Sequence, residues 1–170
     1  MGNLKHDKNE TTAELTKKLA GKLTDLGLRL TTAESCTGGN LSVALCAEEN
    51  TAEFYDVGMV VFSDEAKERV LGVRHDTLER FTAVSEQTVT EMAVNVREIA
   101  QADISIAISG YAGPEGGDDG TAAGTVCFAW DLGGRPETST VLFSGQCQDV
   151  VEKAVRYALS ELIVRLARMP

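Results

Sequence analysis

Short β-rich runs alternate with amphipathic helical stretches along most of this chain, and that alternation constrains the fold more than any other feature. Leu15, Leu19, Leu23 and Leu26 recur at helical spacing between Glu10 and Asp25, and Gly27 stops the run. Leu28–Thr32 then reads as a strand that runs into a glycine-containing turn, Ala33-Glu34-Ser35-Cys36-Thr37-Gly38-Gly39. A helix through Leu41, Ala44 and Leu45 follows that turn. Val57–Ser63 is β-rich, and Ser63 or Asp64 caps a helix carrying Ala66, Val70 and Leu71 that Gly72 ends. Ser85 opens another helix, with Val89, Met92, Ala93, Val96 and Ile99 on one face. In the strand Ile104–Ser109, three isoleucines alternate with Ser105 and Ala107. Thr125–Trp130 and Thr138–Phe143 form a hairpin through Gly133-Gly134, and a last helix runs from Gln148 towards Leu166 with Val151, Val155, Leu159, Leu162 and Leu166 as its stripe. The pattern implies an α/β fold: a single-domain three-layer sandwich with a mixed, mostly parallel sheet, helices on both faces and one hairpin. Residues 10–168 form that domain, and Met1–Asn9 form a frayed polar tail.

Composition narrows the function. With 16 Lys and Arg against 26 Asp and Glu, the net charge is −10, so the chain lacks the basic stripe that nucleic-acid binding needs. A single phosphate is still a feasible ligand, because a few oriented amides hold one locally. No apolar run reaches the roughly 20 residues of a membrane span, and the N-terminus has neither a signal peptide's apolar region nor a myristoylation signal, since His6 stands where Ser or Thr is required. A cytoplasmic protein is expected. Cys36, Cys46, Cys127 and Cys147 are scattered with no C-x-x-C pair, and only His6 and His75 accompany them, so neither a disulfide framework nor a bound metal is expected. Cys46 and Cys127 lie in apolar stretches and are expected to be buried thiols.

Three segments carry chemistry. The first is the turn at Thr32–Gly39, where Ser35 and Thr37 place hydroxyls beside the free N–H groups of a helix start. Spacing alone leaves two readings open, a helix cap with a tight turn or a site for an oxyanion or phosphate. The segment matches neither the phosphate-binding P-loop nor the G-x-S-x-G nucleophile elbow. The second is Phe62-Ser63-Asp64-Glu65-Ala66-Lys67. Lys67 is either a solvated lysine or, if buried near Ser35, a base whose pKa is lowered by desolvation. His75, in Arg74-His75-Asp76, reads as a surface residue. The third is Ser109-Gly110-Tyr111-Ala112-Gly113-Pro114, where a strand ends in a glycine-rich loop. Ligands gather at the carboxyl ends of strands in such sheets, so all three segments can converge.

These segments, together with Ala83-Val84-Ser85-Glu86 and Gly124-Thr125-Val126, occur in an order that resembles the C-terminal domain of the competence/damage-inducible protein CinA, a family that includes the stand-alone enzyme PncC. The resemblance spans about Glu10 to Leu166. It implies hydrolysis of the carboxamide of nicotinamide mononucleotide to nicotinate mononucleotide and ammonia, with no cofactor, in a homo-oligomer, most simply a dimer. Carried over by motif, Ser35 is the nucleophile and Lys67 its general base. Thr37, Gly38, Gly39, Ser109 and Gly110 then lie where donors to substrate are needed. Three positions depart from the family pattern. Phe62 stands where the family has tyrosine, Gly145-Gln146-Cys147 where it has Gly-Asp-Arg, and Ala122-Ala123 precede Gly124 in place of a Lys-Pro-Val run. Cys147 cannot replace an arginine electrostatically, and one lost charge-assisted contact costs about 2–5 kcal/mol. The alternative expectation is therefore a catalytically silent paralogue that binds a nucleotide-like ligand or a protein partner.

Overall fold

A computed structural model describes residues 9–170. The expected frayed tail therefore lies, but for its last residue, outside the described residues, as does His6. Five strands form one mixed sheet in the order β2-β1-β3-β4-β5: β1 (Leu30–Glu34), β2 (Tyr55–Val60), β3 (Ile104–Gly110), β4 (Thr125–Leu132) and β5 (Pro136–Leu142). The first three strands are mutually parallel, and β4 and β5 add an antiparallel hairpin through Gly133-Gly134. Six helices cover the sheet: α1 (Thr12–Leu26), α2 (Asn40–Cys46), α3 (Asp64–Leu71), α4 (His75–Phe81), α5 (Glu86–Ala100) and α6 (Cys147–Ala167). None of the described helices is long and apolar enough to cross a membrane.

Alternation along the strands sets the spacing of the layers. Leu30, Ile104, Ile106, Ile108, Phe128 and Trp130 project from one face and pack with the leucines of α1 and with Ala158, Leu159 and Leu162 of α6. The opposite face carries small residues, Ala33, Ala107, Cys127 and Ala129, against which Val89, Met92, Ala93 and Val96 of α5 are fully buried. Small side chains let α5 lie close enough for the Ser105 hydroxyl to donate to the carbonyl of Ala93 at 2.6 Å. The large face builds the thick side of the core and the small face admits a helix at short range.

Several boundaries and burials differ from the sequence expectation. β1 begins two residues later than Leu28, because Gly27 closes α1 in the left-handed conformation and the Arg29 amide is held by Asp103 at 2.7 Å. Leu26 and Ile99 sit in the last turns of their helices and are about half exposed. Cys46 ends α2 and is exposed, so of the two thiols expected to be buried only Cys127 is. The stripe of α6 is broader than expected: Val155, Leu159, Leu162 and Leu166 are buried, Val150, Ala154 and Ala158 are buried beside them, and Val151 is only partly so. The helix α4 was not anticipated; His75 begins it, exposed and paired with Glu68 at 2.9 Å.

A buried carboxylate ties β1 to α2. Glu34 is fully buried, and its oxygens accept from the Thr37 hydroxyl (2.6 Å), the Leu41 amide (2.9 Å), the Ser42 amide (3.0 Å) and the Ser42 hydroxyl (2.7 Å). It serves α2 as a displaced N-cap, since Gly39 at the cap position has no side chain to offer. The network continues from Ser42 to the Tyr55 hydroxyl (2.9 Å) and from there to Thr32 (2.7 Å). Gly58 leaves room for it: a Cβ there would sit 2.0 Å from the Tyr55 hydroxyl oxygen.

Two stability predictions follow from this network. Glu34→Ala removes several bonds to a charged acceptor, worth about 1.5–3 kcal/mol each, and strands buried donors, so the loss is about 3 kcal/mol or more. In urea titration it appears as a lower midpoint. Gly58→Ala forces the Tyr55 hydroxyl out of its network and costs about 1–3 kcal/mol by the same measurement.

Candidate active site

The strand order places a crevice where the chain reverses its direction of winding. From β1 the chain crosses to β2 on one side, and the next strand, β3, pairs on the other side of β1. The chain leaves the carboxyl ends of β1 and β3 there, which is where open α/β sheets bind ligands. A cavity of about 350 Å³ occupies this place. Ser35 enters it from the end of β1, Phe62 and Lys67 from the end of β2 and the start of α3, and Ser109 and Gly110 from the end of β3.

Lys67 is the central side chain. It is 1% exposed, yet its ammonium is fully supplied with acceptors: the Ser35 Oγ at 3.0 Å, the Val61 carbonyl at 3.1 Å and the Phe62 carbonyl at 3.1 Å. Ser63 makes this possible by capping α3 through the Ala66 amide, which sets the helix start and points Lys67, one turn on, under the cavity. Burial lowers the Lys67 pKa below its ordinary value, and Asp64, 4.0 Å away, opposes the shift only in part. Ser35 is 6% exposed, and its hydroxyl reaches the Phe62 carbonyl at 3.3 Å. The neighbouring Cys36 is a different case: burial pushes its thiol up to about 12, so at neutral pH it is not a thiolate. Of the two adjacent side chains that can act as nucleophiles, Ser35 is the one hydrogen-bonded to Lys67.

The other expected site residues divide. Ser109 and Gly110 line the cavity, with the Ser109 hydroxyl held by the Ala83 carbonyl at 2.8 Å. Thr37, Gly38 and Gly39 do not line it; Thr37 is fully buried with its hydroxyl on Glu34, and the Leu41 and Ser42 amides of α2 are taken by the same carboxylate. The turn thus holds Ser35 in place without presenting its helix start to a ligand.

Of the rest of the cavity wall, Asp64 and Tyr111 lie in segments that the sequence singles out and Glu115 just beyond one, all three without an assigned role. Ala83 and Val84 belong to a segment that carries the family resemblance, though no local pattern places them at the cavity. They are brought in by Thr82, a β-branched residue at φ 67° whose carbonyl accepts from Ser85 and Thr88. Phe62 and Cys147, the two departures from the family pattern, both lie on the cavity wall, with the Phe62 ring 72% exposed and Cys147 at the first turn of α6. Among the described residues no cluster of three or more His, Cys, Asp or Glu side chains is placed to hold a metal.

Comparison with known proteins agrees with this arrangement. The model of the CinA C-terminal domain family matches residues 12–166. The chain is 53% identical over 154 residues to Protein YdeJ of Escherichia coli K12, covering 91% of this chain and 90% of that one. It is 39% identical over 150 residues to the nicotinamide-nucleotide amidohydrolase PncC of the same strain, covering 88% and 91%. A crystal structure of a competence or damage-inducible protein from Enterobacter asburiae superposes with a TM-score of 0.92 at 82% identity, over 93% of this chain and 99% of that one. With its fold and nearly its whole length matched, the chain belongs to the CinA C-terminal domain family.

Proposed function

We propose that the protein is a serine–lysine amidohydrolase that cleaves the carboxamide of a pyridine nucleotide, with nicotinamide mononucleotide as reference substrate. The observation that carries this reading is the 3.0 Å contact between the Lys67 ammonium and the Ser35 Oγ at the wall of a strand-end cavity. A relative named as a nicotinamide-nucleotide amidohydrolase, 39% identical over most of both chains, supports it.

In the reaction, deprotonated Lys67 takes the Ser35 proton as Oγ attacks the carboxamide carbon, forming a C–O bond. The tetrahedral intermediate collapses by breaking the C–N bond, and Lys67 returns the proton to the departing nitrogen, so ammonia leaves. Water then attacks the acyl ester and gives one proton to Lys67, which restores it to Ser35 as the C–O bond to Oγ breaks; the carboxylic acid so formed loses the second proton to solvent and leaves as the carboxylate. Burial serves this cycle by lowering the cost of the neutral amine. The carbonyls of Val61 and Phe62 hold Nζ on the Ser35 side throughout. Ser109 and Gly110 line the cavity beside Ser35, while Thr37, Gly38 and Gly39 act through the turn that fixes Ser35. The unpaired thiols of Cys36, Cys46, Cys127 and Cys147 suit a reducing cytoplasm. Exposed apolar side chains at Val43, Val60 and Phe62, on or beside the edge strand β2, suit a homodimer. The dimer is checked by light scattering at micromolar protein; a concentration-independent monomer removes it.

Ammonia release from nicotinamide mononucleotide is expected, falling by about 10³-fold or more in Ser35→Ala and in Lys67→Met. Release that is undiminished in Ser35→Ala refutes the serine mechanism. The wild-type rate should rise with pH to a plateau whose midpoint lies below the 10.5 of a free lysine. Stability carries the same signature. A lysine with a lowered folded-state pKa costs stability fully below that pKa, and the cost is relieved as pH rises towards the unfolded value. Wild type should therefore gain on Lys67→Met in unfolding free energy as pH rises from neutrality towards 10.

A further inference from the structure

The charge of the cavity wall says which carboxamide fits. Among the described residues, Lys67 is the one cation lining it, and all of its donors are spent on Ser35 and two backbone carbonyls beneath the wall. Asp64 and Glu115 line the same cavity, and Cys147 presents an uncharged thiol. Nor do the nearby cations of α6 supply the missing charge. Lys153 is turned onto the Ser144 carbonyl at 2.5 Å, and neither it nor Arg156 reaches the wall. When Lys67 acts as a base it is neutral, so the competent site holds two carboxylates and no cation, inside a chain of net charge −10.

A phosphate brings about −1.5 to −2 charges at neutral pH. An N-glycosylated nicotinamide ring brings +1. The nucleotide as a whole is thus anionic and the nucleoside cationic, although both present the same carboxamide. A cleft lined by one sign of charge concentrates the opposite sign and repels its own.

Resting on the amidohydrolase reading above, we infer that this cavity selects a cationic carboxamide without a phosphate, such as a pyridinium nucleoside, over the corresponding nucleotide. Asp64 and Glu115 attract the ring cation, and no side-chain cation at the Cys147 position repays desolvation of a phosphate.

The test compares nicotinamide riboside with nicotinamide mononucleotide on the full chain. Ammonia release gives kcat/KM for each, and calorimetric titration of Ser35→Ala gives each affinity without turnover. The expected result is a preference for the riboside of at least tenfold in kcat/KM, with affinity following the same order. The preference should shrink as salt is raised from 20 to 300 mM, which screens the wall. Glu115→Gln should reduce it and Cys147→Arg should move it towards the nucleotide. Equal rates, or a preference for the nucleotide in the unmodified protein, overturn the charge selection and leave the amidohydrolase standing. Hydrolysis of neither compound overturns the amidohydrolase reading and this inference with it.

Discussion

The buried carboxylate of Glu34 is the interaction on which the rest of the site depends. A carboxylate without a salt-bridge partner in the interior is tolerable only when hydrogen-bond donors surround it, and here two amides and two hydroxyls do so. Those donors come from the turn and the first residues of α2, so satisfying Glu34 means folding the Ser35–Gly39 turn into one conformation. The Ser35 amide is held in addition by the Ile108 carbonyl of β3 at 2.9 Å. Ser35 is therefore pinned from the strand before it and the strand beside it, which is what a nucleophile on a short turn requires. Glu34 also spends the α2 dipole internally, so the positive end of that helix stabilises the fold and not a ligand.

Much of the architecture was legible in the sequence because period and burial agree. The isoleucines of β3 alternate with Ser105 and Ala107, and both sets are buried, one under α1 and α6 and the other under α5. Helix ends were readable where a capping side chain exists, as at Ser63 and Ser85, and less so at α2, whose cap lies in the preceding strand. Periodicity places Leu26 and Ile99 on buried faces, but each stands at the end of its helix, where the chain turns away and leaves the side chain about half exposed. Cys46, the last residue of α2, is exposed at the same kind of place.

The site was legible in part. Ser35 and Lys67 are 32 residues apart in sequence, and only their shared position at neighbouring strand ends joins them. Pattern alone suggested that join, and resemblance to a family named the roles. What pattern could not supply is the state of the turn. Thr37, Gly38 and Gly39 have the composition of an anion cradle, yet a glutamate one residue before Ser35 already occupies it. An acidic residue just upstream of a Gly-containing helix start is the sequence signal that separates the two readings, since it can satisfy the orphan amides from within. Ala83 and Val84 were marked by the family motif and not by periodicity, because their place depends on a positive-φ Thr82 whose type gives no hint of it.

In the proposed reading, the burial of Lys67 sets both chemistry and selectivity. Its burial costs stability while the amine is charged, and two backbone carbonyls with the Ser35 hydroxyl offset that cost. The same contacts leave none of its protons for a substrate. In a site where arginine stood beside the cavity, this division of labour would be complete, with lysine managing protons and arginine holding the anion. With Cys147 on that wall the second function has no residue to perform it, and Asp64 and Glu115 impose the opposite field. The proton machinery can persist unchanged while the range of substrates shifts, because the two depend on different side chains that share only a cavity. Ser35 and Lys67 beside a thiol thus fit the proposed amidohydrolase acting on a cationic substrate.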